Sequence, residues 1–241
     1  MATLLISDLH LDESRPQITE LFGHFLAGEA RRAADLFVLG DLFESWVGDD
    51  EDSALAATVC KAFRSLVEDG VPVRLIRGNR DFLIGAAFAA RSGVQVIADP
   101  SVLLLGGVPT LLLHGDQLCT DDLEYQKVRA QVRDPDWQAR FLEQPLAERR
   151  AFAGQARDAS RAHQAGLAPE IGDVADATVR AWFALYGVPR MIHGHTHRPA
   201  IHRLQVEGSE RERVVLGDWY EQGSVLCVEA DGSIELRTLA A

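Results

Sequence analysis

The chain has 241 residues, 47% of them hydrophobic and 25% charged, enough apolar material for a full core at the upper end of one domain's size. Its formal net charge of −12 disfavours nucleic acid as a steady partner, because a phosphate backbone is gripped by a basic face. No stretch nears the ~18 apolar residues that span a bilayer, and three distant cysteines (Cys60, Cys119, Cys227) without CxxC spacing argue against a disulfide framework or a zinc ribbon.

The N-terminal segment Met1-Ala2-Thr3-Leu4-Leu5-Ile6 has no basic region or cleavage site, so it reads as a first strand, and a cytoplasmic location is expected. Short apolar runs at 3–7, 36–39 and 73–76 read as strands, separated by amphipathic helical patterns near 18–30 and 54–69. This alternation predicts an α/β sheet built from βαβ units. Further strands are expected at 102–105 and 110–113. From Asp122 the pattern is helical for about forty residues, interrupted by Pro135 and Pro145. Residues 121–168 carry eight acidic and eight basic side chains, so this stretch is neutral in an acidic protein and reads as a different module. A helix at 175–186 leads to a strand at 190–193, and the remainder alternates as strands at 201–206, 214–216, 225–228 and 234–236.

Polar residues cluster where these strands end, which in α/β sheets is where sites form. Asp8 and His10 follow the first strand, and in extended chain their side chains would leave the same face. Asp41 follows Gly40, a position where crowding around an ion favours a residue without a Cβ, although an aspartate there also suits a helix cap. Asn79 follows Gly78, His114 precedes Gly115, and Gly194 precedes His195 and His197. Any one of these residues could be structural. Together, five strand ends each supply a ligand-type residue, and the mixed oxygen and imidazole set suits manganese or a similar divalent ion.

The strings Asp8-x-His10, Gly40-Asp41, Gly78-Asn79, His114-Gly115 and Gly194-His195-x-His197 resemble the calcineurin-like metallophosphoesterase superfamily over nearly the whole chain. Longer strings are similar to its UDP-2,3-diacylglucosamine diphosphatase family: Ser7-Asp8-Leu9-His10-Leu11, Gly40-Asp41-Leu42-Phe43-Glu44-x-Trp46, Gly78-Asn79-Arg80-Asp81-Phe82, the run from His114 to Asp122, and Leu216-Gly217-Asp218-Trp219-Tyr220. The resemblance implies a four-layer αββα sandwich, one domain over 1–241, with a helical substrate-binding cap inserted at about 122–167. It implies two divalent metal ions, most readily Mn²⁺: one on Asp8, His10, Asp41 and His197, the other on Asp41, Asn79, His114 and His195, with Asp41 bridging.

By the same resemblance Asp41, Asn79, Arg80 and His195 serve catalysis, and Asn79, Arg80, Asp122, Ser160, Gln164 and His195 contact substrate. The implied reaction is attack of a metal-activated water on the α phosphorus of UDP-2,3-diacylglucosamine, giving UMP and 2,3-diacylglucosamine 1-phosphate, a step of lipid A biosynthesis. Arg80 stands where many superfamily members have histidine, and its guanidinium could grip a diphosphate with two hydrogen bonds. Leu167 departs from the family, which commonly has a lysine there to meet a phosphate; either Arg157 or Arg161 replaces it or binding is weaker.

The helical stretch mixes Val128, Val132, Trp137, Phe141, Leu142, Leu146 and Phe152 with arginines, a surface suited to acyl chains and anionic heads. The i,i+4 pairs within it would equally suit packing on a core. Expected partners are the UDP-linked lipid and, peripherally, the cytoplasmic leaflet of the inner membrane, with no nucleic acid and the protein acting as a monomer. Trp46, Trp182 and Trp219 read as packing residues, and His24, His163, His193 and His202 are left unassigned.

Overall fold

The protein is described by a computed structural model covering residues 1–166 and 171–240. Four strands alternate with helices in the first hundred residues: β1 (Thr3–Ile6), α1 (Pro16–Ala27), β2 (Asp35–Leu39), α2 (Ala54–Glu68), β3 (Val73–Ile76), α3 (Ala86–Ser92) and β4 (Gln95–Val96). β1 to β4 run parallel, Thr3 pairing with Asp35 and Leu36 with Val73, as short βαβ units demand. Local chemistry sets the helix starts. Pro16 opens α1, where a missing N–H costs nothing, and the Ser53 hydroxyl accepts from Ala56 N at 3.2 Å to cap α2.

A second sheet follows, with β5 (Ser101–Leu105), β6 (Val108–Leu112), β7 (Arg190–His193), β8 (Ala200–Val206) and β9 (Ser209–Val215) in the order β5-β6-β7-β9-β8. Between β6 and β7 lie α4 (Leu123–Val132), α5 (Pro135–Leu142), α6 (Leu146–Gly166) and α7 (Asp176–Tyr186). The chain then returns to the first sheet as β10 (Gly223–Val228) and β11 (Ile234–Leu239), giving the order β11-β10-β1-β2-β3-β4.

Strand alternation sorts side chains into three cores. Leu4, Ile6, Leu36, Val38, Val73 and Leu75 face α1, α2 and α3. Leu5, Phe37, Leu39 and Ile76 face the other way, meeting Leu112, Ile192 and Val214 of the second sheet. Leu111 and Met191 point outward onto Val179 and Phe183 of α7. The layers are therefore helix, sheet, sheet, helix, and the α/β expectation holds in its four-layer form. Among the described residues, no helix is long and apolar enough to cross a membrane.

The structure departs from the sequence reading in places. The helical stretch after Asp122 divides into three helices. Pro135 becomes the first residue of α5, with the Asp134 carboxylate accepting from Trp137 N at 2.8 Å, and Pro145 immediately precedes α6. α3 and the two-residue β4 were not expected, being too short to show a period. β9 starts at Ser209 rather than near 214, because Glu210, Arg211, Glu212 and Arg213 hide its alternation; Glu207 and Gly208, both at positive φ, turn β8 into it.

Candidate metal centre

The carboxyl ends of β1, β2 and β3 from one sheet and of β6 and β7 from the other converge, and the seven predicted residues stand in the loops just beyond them. Backbone bonds lock these loops together: Asp8 N donates to Gly40 O at 3.1 Å, His10 N to Asp41 O at 2.9 Å, and Gly194 N to His114 O at 2.8 Å.

Asp8, His10, Asp41, His195 and His197 all have positive φ, between 47° and 69°; among the described residues Glu207 is the sole other non-glycine in that region. Such backbone costs about 1–3 kcal/mol per residue and persists where the surroundings impose it. Asp8 and His10 thus reach one point from a left-handed bend, not from the extended chain that their spacing suggested.

The glycines are there for space. A Cβ on Gly40, at φ +89°, would lie 2.5 Å from His114 Nδ1 and 2.7 Å from Gly78 Cα. One on Gly78 would overlap Asp41, and one on Gly194 would overlap Asp8 and Ser7. Gly40→Ala is expected to cost about 2 kcal/mol or more, read as a lower denaturant midpoint; an unshifted midpoint would mean that the loops yield freely.

Two knots of ligand-type atoms result. In one, His10 Nε2 lies 3.3 Å from His197 Nε2 and 3.7 Å from Asp41 Oδ2, and His197 Nε2 lies 3.4 Å from Asp8 Oδ1. In the other, Asn79 Oδ1 lies 2.8 Å from His114 Nε2 and 2.9 Å from His195 Nδ1, while His114 Nε2 is 3.8 Å from Asp41 Oδ1. Asp8, His10 and His197, and again Asp8, Asp41 and His114, offer ligand atoms all within 4.8 Å of one another. Asp8 Oδ1 is buried without a hydrogen-bond partner, while Oδ2 is satisfied by Ser7 Oγ at 2.6 Å and His195 N at 2.9 Å. A buried carboxylate oxygen left unpaired among imidazoles fits a cation.

The electrostatics agree. Burial alone would depress the His114 pKa, yet Asp41, Asp8 and Asp116 lift it to about 9. Burial and the His114 charge hold His195 at about 4. Asp8 is desolvated, but the neighbouring His197, His114 and His10 drive its pKa far below the usual carboxylate range.

Several supporting residues stood in the quoted strings without an assigned role. Glu44 Oε2 lies 2.9 Å from His10 Nδ1. Asp81, fully buried, accepts from Gly78 N and Leu42 N, both at 2.7 Å, and burial together with Asp41 pushes its pKa up to about 6. Asp116, also buried, takes the Tyr125 hydroxyl at 3.0 Å and Arg129 Nε at 2.7 Å, tying α4 to the loop after His114. Their sequence signal was adjacency to a ligand, which does not say what the side chain reaches.

A cavity of about 400 Å³ opens from this centre, lined by Glu44, Asn79, Arg80 and Tyr125, by Phe82 of the loop after β3, and by Val128, Val132, Phe152, Ala156 and Ser160 of α4 and α6. The apolar residues of the helical stretch divide here. Val128, Val132 and Phe152 line the cavity, whereas Phe141 is buried in the core and stacks on Trp137 at 4.9 Å, with Leu146 packed beside them. Arg80 lines the cavity, and its neighbour Asp81 is engaged with backbone N–H groups.

Asp122 caps α4 by accepting from Tyr125 N at 3.0 Å and also meets His163 Nε2 at 3.0 Å, so the unassigned His163 is its partner. The Gln164 side chain and Leu167 lie outside the described residues. Trp46 and Trp219 are buried as packing residues, although Trp46 also borders the cavity; Trp182 packs against the α7 core.

This arrangement has relatives. The Calcineurin-like phosphoesterase family profile matches residues 1–199, and the chain belongs to that family. The UDP-2,3-diacylglucosamine hydrolase of Xanthomonas campestris pv. campestris is 57% identical over 247 residues, with 100% of each chain covered. The protein of the same name from Stenotrophomonas maltophilia is 56% identical, covering 100% of this chain and 99% of the other. The solved structure of vacuolar protein sorting 29 from Cryptosporidium parvum aligns with 98% of this chain and 95% of its own at a TM-score of 0.49 and 13% identity.

Proposed function

We propose that this protein hydrolyses the diphosphate bond of UDP-2,3-diacylglucosamine, yielding UMP and 2,3-diacylglucosamine 1-phosphate in lipid A biosynthesis. The observation that carries the reading is the cavity itself. It begins at Asn79 and Arg80, where a phosphate would meet polar donors, and continues between Val128, Val132 and Phe152, where acyl chains would meet apolar walls. The full-length likeness to hydrolases named for this substrate supports it.

In this reading Asp8, His10, Asp41 and His197 hold one divalent ion, and Asp41, Asn79, His114 and His195 hold a second, with manganese suited to the mixed donors. Such a pair, when bound, lowers the pKa of a water and offsets charge building on phosphorus. The protein's own groups do the rest. Asn79 and Arg80 grip the diphosphate, and the Arg80 guanidinium faces charge that grows in the transition state. His195, held neutral by burial and by His114, keeps one ring lone pair for an ion and one ring N–H that can donate to an acceptor oxygen at neutral pH. Ser160 borders the cavity from α6, and Arg157, which also lines it, stands in for the lysine absent at Leu167. Residues 122–167 serve as the cap; Asp122 contributes through His163, its cavity-lining partner at 3.0 Å, and the family resemblance adds Gln164 as a substrate contact.

Because acyl chains reside in a bilayer and a nucleotide faces the cytosol, the protein docks peripherally on the cytoplasmic side of the inner membrane. The partial exposure of Val128 and Phe152 beside the cavity favours this. Turnover with Mn²⁺ in ¹⁸O water tests the reaction: one label is expected on UMP, and label on the lipid phosphate would overturn attack at the α phosphorus.

A further inference from the structure

Glu44 stands in the loop after β2, where its largely buried carboxylate meets two different parts of the molecule. Oε2 lies 2.9 Å from His10 Nδ1. Oε1 turns toward α6, 3.6 Å from Arg161 Nη2 and 3.9 Å from Arg157 Nη1. Arg157 in turn reaches Asp12 Oδ2, also at 3.9 Å.

The first contact fixes which ring nitrogen carries a proton. A carboxylate can only accept, so His10 Nδ1 donates to Glu44 and the Nε2 lone pair points inward. Nε2 is the atom facing His197 Nε2 at 3.3 Å and Asp41 Oδ2 at 3.7 Å. Without Glu44 the ring can flip or exchange tautomer, since the stacked Tyr220 ring, 5.2 Å away, constrains its plane but not its nitrogens. The second contact gives the α6 arginines an anionic anchor beside the centre, so one side chain sets both a ligand's orientation and the position of Arg157, which lines the cavity.

We propose that Glu44 is a positioning residue that aims His10 Nε2 into the metal centre and holds Arg157 of α6, with Arg161 beside it, at the cavity where a substrate phosphate would enter. This rests on the two-metal reading above. Outer carboxylates of this kind commonly change metal affinity by about 10- to 100-fold when removed.

Manganese titration of the chelator-stripped full chain by calorimetry tests it without substrate. Glu44→Ala should weaken one of two sites by about 10- to 100-fold. Glu44→Gln, whose amide oxygen still accepts from Nδ1, should restore that affinity. It should still raise KM for UDP-2,3-diacylglucosamine by about two- to fivefold, the scale of a partly exposed ion pair, because a neutral amide no longer anchors the arginines.

Wild-type affinity in Glu44→Ala would overturn the role toward His10, as would Glu44→Gln binding no better than Glu44→Ala. A wild-type KM in Glu44→Gln would overturn the role toward α6. If Glu44→Ala does not fold, judged by circular dichroism of the metal-free protein, the Glu44→Gln measurements decide alone. Asp41→Ala keeps the two readings apart: an unchanged manganese stoichiometry there removes the metal centre itself, whereas loss of ions there with an unaffected Glu44→Ala removes Glu44 alone.

Discussion

Asp41→Ala protein is expected to bind manganese weakly at both sites and to lose about a thousandfold or more in turnover, while remaining folded. The Asp41 carboxylate lies between the two knots: Oδ2 is 3.7 Å from His10 Nε2, and Oδ1 is 3.8 Å from His114 Nε2. Removing it takes an oxygen from each. A pair of ions supplies several kcal/mol of transition-state stabilisation, and about 4 kcal/mol corresponds to a thousandfold in rate.

The fold should survive, since Asp41 donates nothing to the three hydrophobic cores and the side chain's hydrogen bond from Arg80 N, at 2.8 Å, is a single loop contact. Asp41→Asn separates charge from shape. It keeps an oxygen for Arg80 N but loses the negative charge, so metal affinity should fall nearly as far. Calorimetric stoichiometry and circular dichroism together decide. A folded Asp41→Ala that still turns over at near the wild-type rate would exclude Asp41 as a bridging ligand.

The residues of the centre were legible in sequence for a physical reason. Where these loops pack so closely that Gly40, Gly78 and Gly194 have no room for a Cβ, and Asp8, His10, Asp41, His195 and His197 bend through positive φ, the converging polar residues must be written next to glycine at strand ends. Alternation likewise exposed β1, β2, β3 and β7, because each has one face toward helices and one toward the other sheet. Strand order was not legible. β10 returns to pair with β1 and β9 inserts between β7 and β8, and such pairings depend on contacts far apart in the chain.

Helix faces were only half legible. The Trp137 and Phe141 pair and the Val128 and Val132 pair have the same spacing, yet the first packs inward and the second lines the cavity. A period of 3.6 identifies an apolar face without identifying what covers it. The same limit hid Glu44, Asp116 and His163, whose partners are 34, 13 and 41 residues away.

Charging the cavity wall should separate substrate recognition from chemistry. Val128 lies on α4, is 55% exposed, and faces the cavity with Phe82, Val132 and Phe152. In Val128→Asp an acyl chain would have to cover a carboxylate that stays hydrated at this exposed position; taking the roughly 1–3 kcal/mol cost of an uncompensated neutral polar group as the scale, kcat/KM should fall about five- to 150-fold. Partial exposure of the position favours the lower half of that range. The variant's own stability should change by no more than about 0.5 kcal/mol, because Val128 is not part of the core.

A small soluble phosphodiester such as bis(p-nitrophenyl) phosphate needs only the metal centre, so its hydrolysis should fall far less than that of the diacyl substrate. Leu185→Asp provides the comparison: Leu185 is 75% exposed on α7 and borders no part of the cavity, so both activities should stay at wild-type values. Equal losses on both substrates in Val128→Asp would place Val128 among residues supporting the centre. No loss on the diacyl substrate would mean that the acyl chains bind elsewhere, and the reading of α4 and α6 as walls of a lipid site would fall.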